Sequence, residues 1–263
     1  GAFAPARLEV LNWLSSQVAI SLENALLYAN LENKVAERTH ELHEKNTVLV
    51  QLNRQIEEIN KRLLDSIEYA KVIQSALLPD FPQVQTFLPH SFWIWQPRDI
   101  VGGDMLYVEA FDQEWLVVVM DCTGHGVPGA FMTMVAATNL RRITRDEGCH
   151  QPAEILQRLN VLMKTSLQQD TEQARSDDGL DAAICLIQPL KQQLRFAGAK
   201  LPLYYLHQDQ LKMIKGDKQS LGYKRSNVKF TFTTQTLPLE AGMAFYLATD
   251  GLIDQLGGPK RLP

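Results

Sequence analysis

Between Pro5 and Pro79 the chain contains neither glycine nor proline, while every other glycine except Gly1 lies at Gly102 or beyond. Without these two breakers, and rich in Leu, Glu, Asn, Lys and Arg, the stretch is predicted to be one long helix. Within it Tyr28, Val35, Leu42, Leu49, Ile56 and Leu63 recur at every seventh residue. Three residues further on, the series Leu31, Arg38, Lys45, Leu52 and Ile59 is apolar at three of its five places. This is a heptad seam with a polar interruption, the pattern of a parallel two-stranded coiled coil. A rod from Tyr28 to Leu63 would be roughly 50 Å long. A lone helix would leave that stripe in water, so a homodimer is expected; a helix lying along its own domain, or an isolated solvated helix, is the alternative.

The rest of the chain has a different texture. Past Pro79, short β-like runs alternate with glycine turns. The expected strands are Leu116–Met120, Ala182–Ile187, Gln193–Ala197, Leu203–Leu206, Lys229–Thr233 and Met243–Ala248. Pro128–Arg145 and Pro152–Gln168 read as helices, with Pro128 near a helix start where its missing N–H is harmless. Strands in hairpin-like succession around a helical pair imply an α+β domain with antiparallel sheets.

Formal net charge is −4 and no basic run exceeds a pair, so neither nucleic acid nor an anionic membrane is an expected partner. No stretch approaches the roughly 18 apolar residues of a membrane span. Cys122, Cys149 and Cys185 are an odd, widely spaced set, which fits reduced thiols and a cytoplasmic setting. The chain starts at Gly1 without a methionine or a signal-peptide pattern, so a piece of a longer protein is expected.

Three aspartates adjoin glycine turns: Val101-Gly102-Gly103-Asp104, Asp121-Cys122-Thr123-Gly124-His125-Gly126 and Thr249-Asp250-Gly251. The second and third follow apolar runs directly. A single Asp-Gly pair is an ordinary turn. Three of them, two at the ends of expected strands, suggest carboxylates converging on a hard divalent cation that takes oxygen ligands.

The motifs then occur in a telling order. Ala70-x-x-Ile73-Gln74-x-x-Leu77-Leu78-Pro79 is followed by Pro97-Arg98-Asp99-Ile100-Val101-Gly102-Gly103-Asp104. After these come Asp121-x-x-Gly124-His125-Gly126-x-Pro128-Gly129-Ala130, Phe196-Ala197-Gly198-Ala199 and Ala248-Thr249-Asp250-Gly251. Together, over residues 66–263, they resemble the SpoIIE-like branch of the metal-dependent (2C-type, PPM) Ser/Thr protein phosphatases. The resemblance implies an αββα sandwich of two antiparallel sheets holding two Mn²⁺ or Mg²⁺ ions. It implies that Asp104, Asp121 and Asp250 are the catalytic metal ligands, with Asp121 bridging and the Cys122 backbone carbonyl as a further ligand. It also implies a metal-activated water that attacks a phosphoserine or phosphothreonine, with no phosphoenzyme and no nucleophilic role for Cys122. The expected substrate is a phosphorylated antagonist protein of an anti-sigma factor, in a bacterial partner-switching pathway.

Upstream, residues 1–27 resemble the last helix of a GAF sensor domain, which leads into a coiled-coil signalling helix over 28–65. Two departures from the family pattern stand out. The family carries a further aspartate pair near its C-terminus, whereas Pro263 follows Asp250 by 13 residues, so a truncated domain is expected. Asp177-Asp178-Gly179-Leu180-Asp181 is unusually acidic; Asp178 or Asp181 are candidate metal ligands, against the plainer reading of a solvated turn. A catalytically silent phosphatase-like scaffold that binds partners is the rival expectation.

Other residues carry less. Arg98 is a candidate phosphate fork or a surface salt-bridge partner. His125 is a conceivable general acid, but the position tolerates other residues in the family. Cys122 and His125 lack the second pair that a zinc site needs. Trp93 and Trp95 alternate in an expected strand as core residues, and His40 and His43 are expected to be solvated on the rod.

Overall fold

The computed structural model describes residues 5–172 and 174–252. The chain divides between Leu64 and Asp65 into two compact units, one on each side.

Helix α1 (Pro5–Ser75) runs the whole length of the breaker-free stretch and across that division. In the first unit its heptad residues Tyr28, Val35, Leu42, Leu49, Ile56 and Leu63 are 54–68% exposed. Intrahelical ion pairs from Glu41 to Arg38 and Lys45, and from His40 to Glu44, decorate its polar side. Among the described residues no helix is long and apolar enough to cross a membrane.

The second unit adds a short helix α2 (Phe81–Phe87) and then strands β1 (Asp104–Phe111) and β2 (Glu114–Cys122). Helices α3 (Gly126–Arg141) and α4 (Pro152–Ser166) follow, separated by a π turn at Arg142–Asp146. The chain continues through β3 (Leu180–Gln188), β4 (Gln193–Ala199), β5 (Leu203–His207), β6 (Gln210–Ile214), β7 (Gln235–Pro238) and β8 (Ala244–Tyr246). All pairings are antiparallel, in a five-stranded sheet of order β1-β2-β3-β4-β7 and a three-stranded sheet of order β6-β5-β8.

Side-chain alternation sorts the five-stranded sheet into two faces. Met105 and Tyr107 of β1, Leu116, Val118, Met120 and Cys122 of β2, and Leu180, Ala182, Ile184 and Leu186 of β3 face α3 and α4. The helices answer with Met132, Ala136, Ala137 and Leu140 from α3 and Ile155, Leu156, Leu159 and Met163 from α4. The opposite face, with Val117, Val119, Ala183, Cys185, Leu194 and Phe196, packs on Leu203, Tyr205, Ile214 and Phe245 of the small sheet. Each such Leu or Phe contributes about 1.5–3 kcal/mol relative to an exposed position.

Glu109 is buried on the helix-side face of β1. Its carboxylate accepts hydrogen bonds from Tyr107 Oη, from Thr144 Oγ1 at 2.6 Å and from Arg145 Nε, so the π turn is fastened to the strand beneath it. This charge, in the middle of DMLYVEAF, hid β1 from the sequence reading; the exposed edge strand β6 was missed as well.

Three expectations need correction. Lys229–Thr233 forms no strand: Phe230 and Phe232 meet edge to face at 4.9 Å over the helix-side core, and the Thr233 N–H is taken by Asp217 Oδ2 at 2.7 Å. The alternation was real, but the segment has no neighbouring strand. The Trp93–Trp95 segment alternates in burial without joining a sheet; Trp93 packs on Phe81 and Trp95 Nε1 donates to the Asp104 carbonyl at 2.9 Å. The helix expected from Pro128 starts two residues earlier, at Gly126.

Candidate metal centre

The alternation that builds the core also aims the acidic residues. Asp104, Asp121 and Asp181 stand out of phase with the helix-facing residues of β1, β2 and β3, so all three lie on the inter-sheet face. In register, Asp104 pairs with Asp121, and Asp121 pairs with Asp181 across the next ladder. Three carboxylates thus form one row across three neighbouring strands. Asp250 joins them from a 3₁₀ turn, Asp250–Leu252, four residues beyond β8.

The side chains of Asp104 and Asp121 lie within hydrogen-bonding reach of each other, as do those of Asp121 and Asp250. Burial, followed by the charges of Asp104, Asp250 and Asp181, pushes the Asp121 carboxyl up to about 7. Burial likewise raises Asp104, against the hydrogen bond that Thr249 Oγ1 donates to its Oδ2 at 2.9 Å. Asp181 is raised by burial and held back by Ser220 and Lys200. Its Oδ1 is buried without a hydrogen-bond partner among the described residues.

Glycines bring the backbone close. A Cβ on Gly103 would sit 2.3 Å from the Gly124 carbonyl oxygen and 2.7 Å from that of Cys122. A Cβ on Gly129 would meet the same Gly124 oxygen at 2.4 Å. The loop after β2 therefore nests against the turn before β1, closed by a Cys122 N–H to Gly103 carbonyl bond of 3.0 Å. From the other side, buried Gln74 in the last turn of α1 clamps Gly102. Its Nε2 donates to the Gly102 carbonyl at 2.7 Å, and its Oε1 accepts from the Gly102 N–H at 3.1 Å. The same Nε2 reaches Thr133 Oγ1 on α3 at 2.9 Å.

The remaining candidates separate clearly. The Cys122 thiol lies in the helix-side core, where burial raises it. Its carbonyl lies against Gly103. Asp178, just before β3, is held by its backbone, both amide and carbonyl bonded to the Gln169 side chain at 2.6 Å. Arg98 is exposed, while its neighbour Asp99 bonds His125 Nδ1 at 2.7 Å, a pair the sequence reading did not foresee.

A purely oxygen donor set of crowded carboxylates, with one orphaned buried oxygen, suits a hard divalent cation. As they stand, no three His, Cys, Asp or Glu side chains among the described residues close around a common point. The expectation that the family's further aspartate pair is missing after Asp250 falls on residues 253–263, which lie outside those described.

A family model for stage II sporulation protein E (SpoIIE) matches residues 112–262. Among solved structures, the SiaA-PP2C domain of Pseudomonas aeruginosa is 36% identical, with a TM-score of 0.68, covering 77% of this chain and 77% of its own. The PP2C phosphatase domain with a fragment of the regulatory domain of SpoIIE from Bacillus subtilis also matches. It is 17% identical, with a TM-score of 0.47, over 62% of this chain and 44% of that one. No curated protein matches.

Proposed function

This chain belongs to the SpoIIE-type PP2C phosphatase family, and on that premise we propose that it is a metal-dependent phosphoserine/phosphothreonine protein phosphatase. The observation that carries this reading is the row Asp104–Asp121–Asp181 across three strands, met by Asp250 from the small-sheet side. Burial and the crowding of these carboxylates, which raise Asp121 to about 7, favour a bound cation.

Two Mn²⁺ or Mg²⁺ ions would be held by Asp104, Asp121, Asp250 and the Cys122 carbonyl, with Asp181 as a further oxygen donor. When bound, such ions lower the pKa of a water and offset charge on phosphoryl oxygens. The protein's own part is positional. The β1–β2 and β2–β3 ladders fix the spacing of three carboxylates, Thr249 orients Asp104, and the Gly103–Gly124 contact presents the Cys122 carbonyl. Arg98 remains available to a phosphate at the surface.

Regulation through α1 is part of the reading. The exposed heptad stripe fits a second copy of this chain, giving a parallel dimeric coiled coil over 28–65 below a GAF-like helix at 1–27. Gln74 is where a rotation of that helix would be felt, because it grips the residue two before Asp104. The substrate we infer is a phosphorylated antagonist of the partner-switching type, in the cytoplasm.

Hydrolysis of p-nitrophenyl phosphate with and without Mn²⁺, in the wild type and Asp121→Ala, tests the enzyme reading. Metal-dependent turnover lost in Asp121→Ala supports it. Absence of turnover here and in a C-terminally extended version would favour the rival, a silent partner-binding domain, which the unclosed carboxylate set makes worth testing.

A further inference from the structure

A second feature adjoins the carboxylate row. A cleft of about 340 Å³ is lined by Asp181, Lys200, Lys218, Ser220, Tyr223 and Arg225. It carries three cations against one carboxylate, on a chain of net charge −4. Among the described residues none of the three cations forms an ion pair within 4 Å.

The cleft is built. Lys200 holds a left-handed backbone, φ 62°, unusual for a residue with a side chain. It is pinned there by its N–H to the Asp217 carbonyl and by the Asp217 N–H to the Gly198 carbonyl, each 2.8 Å. The turn carrying Arg225 is fastened from behind: Lys164 of α4 donates to the carbonyls of Lys224 and Ser226 at 2.6 and 2.9 Å. Ser226 Oγ donates to the Ser220 carbonyl at 2.8 Å. Lys164 thus satisfies the backbone of the turn while the guanidinium of Arg225 is left for the cleft.

Two residues join this cleft to the carboxylate row. Asp181 belongs to both, as cross-strand partner of Asp121 and as part of the cleft wall. Tyr223 Oη sits 2.8 Å from Thr123 Oγ1, two residues after Asp121. A phosphorylated side chain presented to Asp104, Asp121 and Asp250 would therefore bring its neighbouring residues over Lys200, Lys218 and Arg225.

We propose that this cleft is a specificity subsite for the acidic flank of the phosphorylated segment, reading carboxylates beside the phosphoserine. The proposal rests on the phosphatase reading for the identity of the substrate, but its binding test does not require turnover.

Two fluorescein-labelled peptides share a central phosphoserine and differ in their flanks, Glu on both sides in one and Lys in the other. Anisotropy titrations of the full chain in EDTA read binding alone. The Glu-flanked peptide is expected to bind about five- to tenfold more tightly, a preference that shrinks in high salt. The Lys218→Glu/Arg225→Glu double variant should reverse the preference. Because the ratio is taken within one protein, partial destabilisation does not produce a reversal. Equal affinities in the wild type, or an unchanged ratio in the double variant, would overturn the proposal. Equal weakening of both peptides would also overturn it, by showing that the cleft takes the phosphoryl group. Flank preference without Mn²⁺-dependent hydrolysis of either peptide, by this chain and by a C-terminally extended version, would sink the phosphatase reading and leave the subsite standing.

Discussion

The Thr249 hydroxyl donates to Asp104 Oδ2 across 145 residues of sequence, tying the segment after β8 to the first residue of β1. This bond holds one orientation of the Asp104 carboxylate. Thr249→Val keeps the shape and removes the donor. The Mn²⁺ concentration for half-maximal hydrolysis is expected to rise about tenfold, the usual scale for losing an outer hydrogen bond to a metal ligand. An unchanged metal dependence would show that Asp104 orients itself without Thr249.

The raised Asp121 carboxyl gives the metal-free domain a definite pH dependence. An unfolded aspartate releases its proton near pH 4, whereas folded Asp121 keeps it up to about 7. Between those values the folded state binds more protons, so stability falls as pH rises through the window. Melting temperature in EDTA should therefore drop from pH 5 to pH 8, and Asp121→Asn should flatten that slope. A wild-type melting temperature that does not fall over this range would contradict the crowding of the carboxylates.

Gln74 satisfies two backbone groups of Gly102 from a buried position. Gln74→Leu fills a similar volume but orphans both, at a cost of about 1–3 kcal/mol in urea unfolding. If instead the glutamine were solvated in solution, the loss would stay within about 0.5 kcal/mol, the range of surface substitutions.

The Gly103 contact admits no side chain, because both opposing atoms are backbone oxygens. Gly103→Ala should lower stability by about 1–3 kcal/mol or more and abolish metal-dependent turnover, since the Cys122 carbonyl must move. A fully active Gly103→Ala protein would mean that this turn is loose.

The heptad stripe predicts a concentration-dependent dimer. Leu42→Asp with Leu49→Asp places charge on the seam and should give a monomer by sedimentation, with the phosphatase unit still folded. Sedimentation of the wild type as a monomer at micromolar concentration would refute the coiled coil.

Residues differ in how openly the sequence announced them. The helix Pro5–Ser75 was legible because glycine and proline are absent from its interior, a local property. Asp104, Asp121 and Asp250 were legible as a motif set, yet the alignment of Asp104 with Asp121 depends on ladder register, which no local pattern encodes. Asp181 was one of two acidic candidates, and it is the one that lies within β3, paired in register with Asp121. The cationic cleft was invisible in the sequence because Lys200, Lys218 and Arg225 come from three separate stretches, none a basic run. Lys229–Thr233 misled because an extended, alternating backbone needs a neighbour to become a strand, and its neighbour is a side chain, Asp217.

All three cysteines are buried, and burial pushes the Cys185 thiol up to about 12 and raises Cys122 and Cys149 as well. The native chain is thereby shielded from alkylating reagents, which attack the exposed thiolate. Iodoacetamide uptake becomes a clock for opening of the fold. A single cysteine placed on the outer face of α1 would be the one reactive handle for a spin label or dye, with no background to remove.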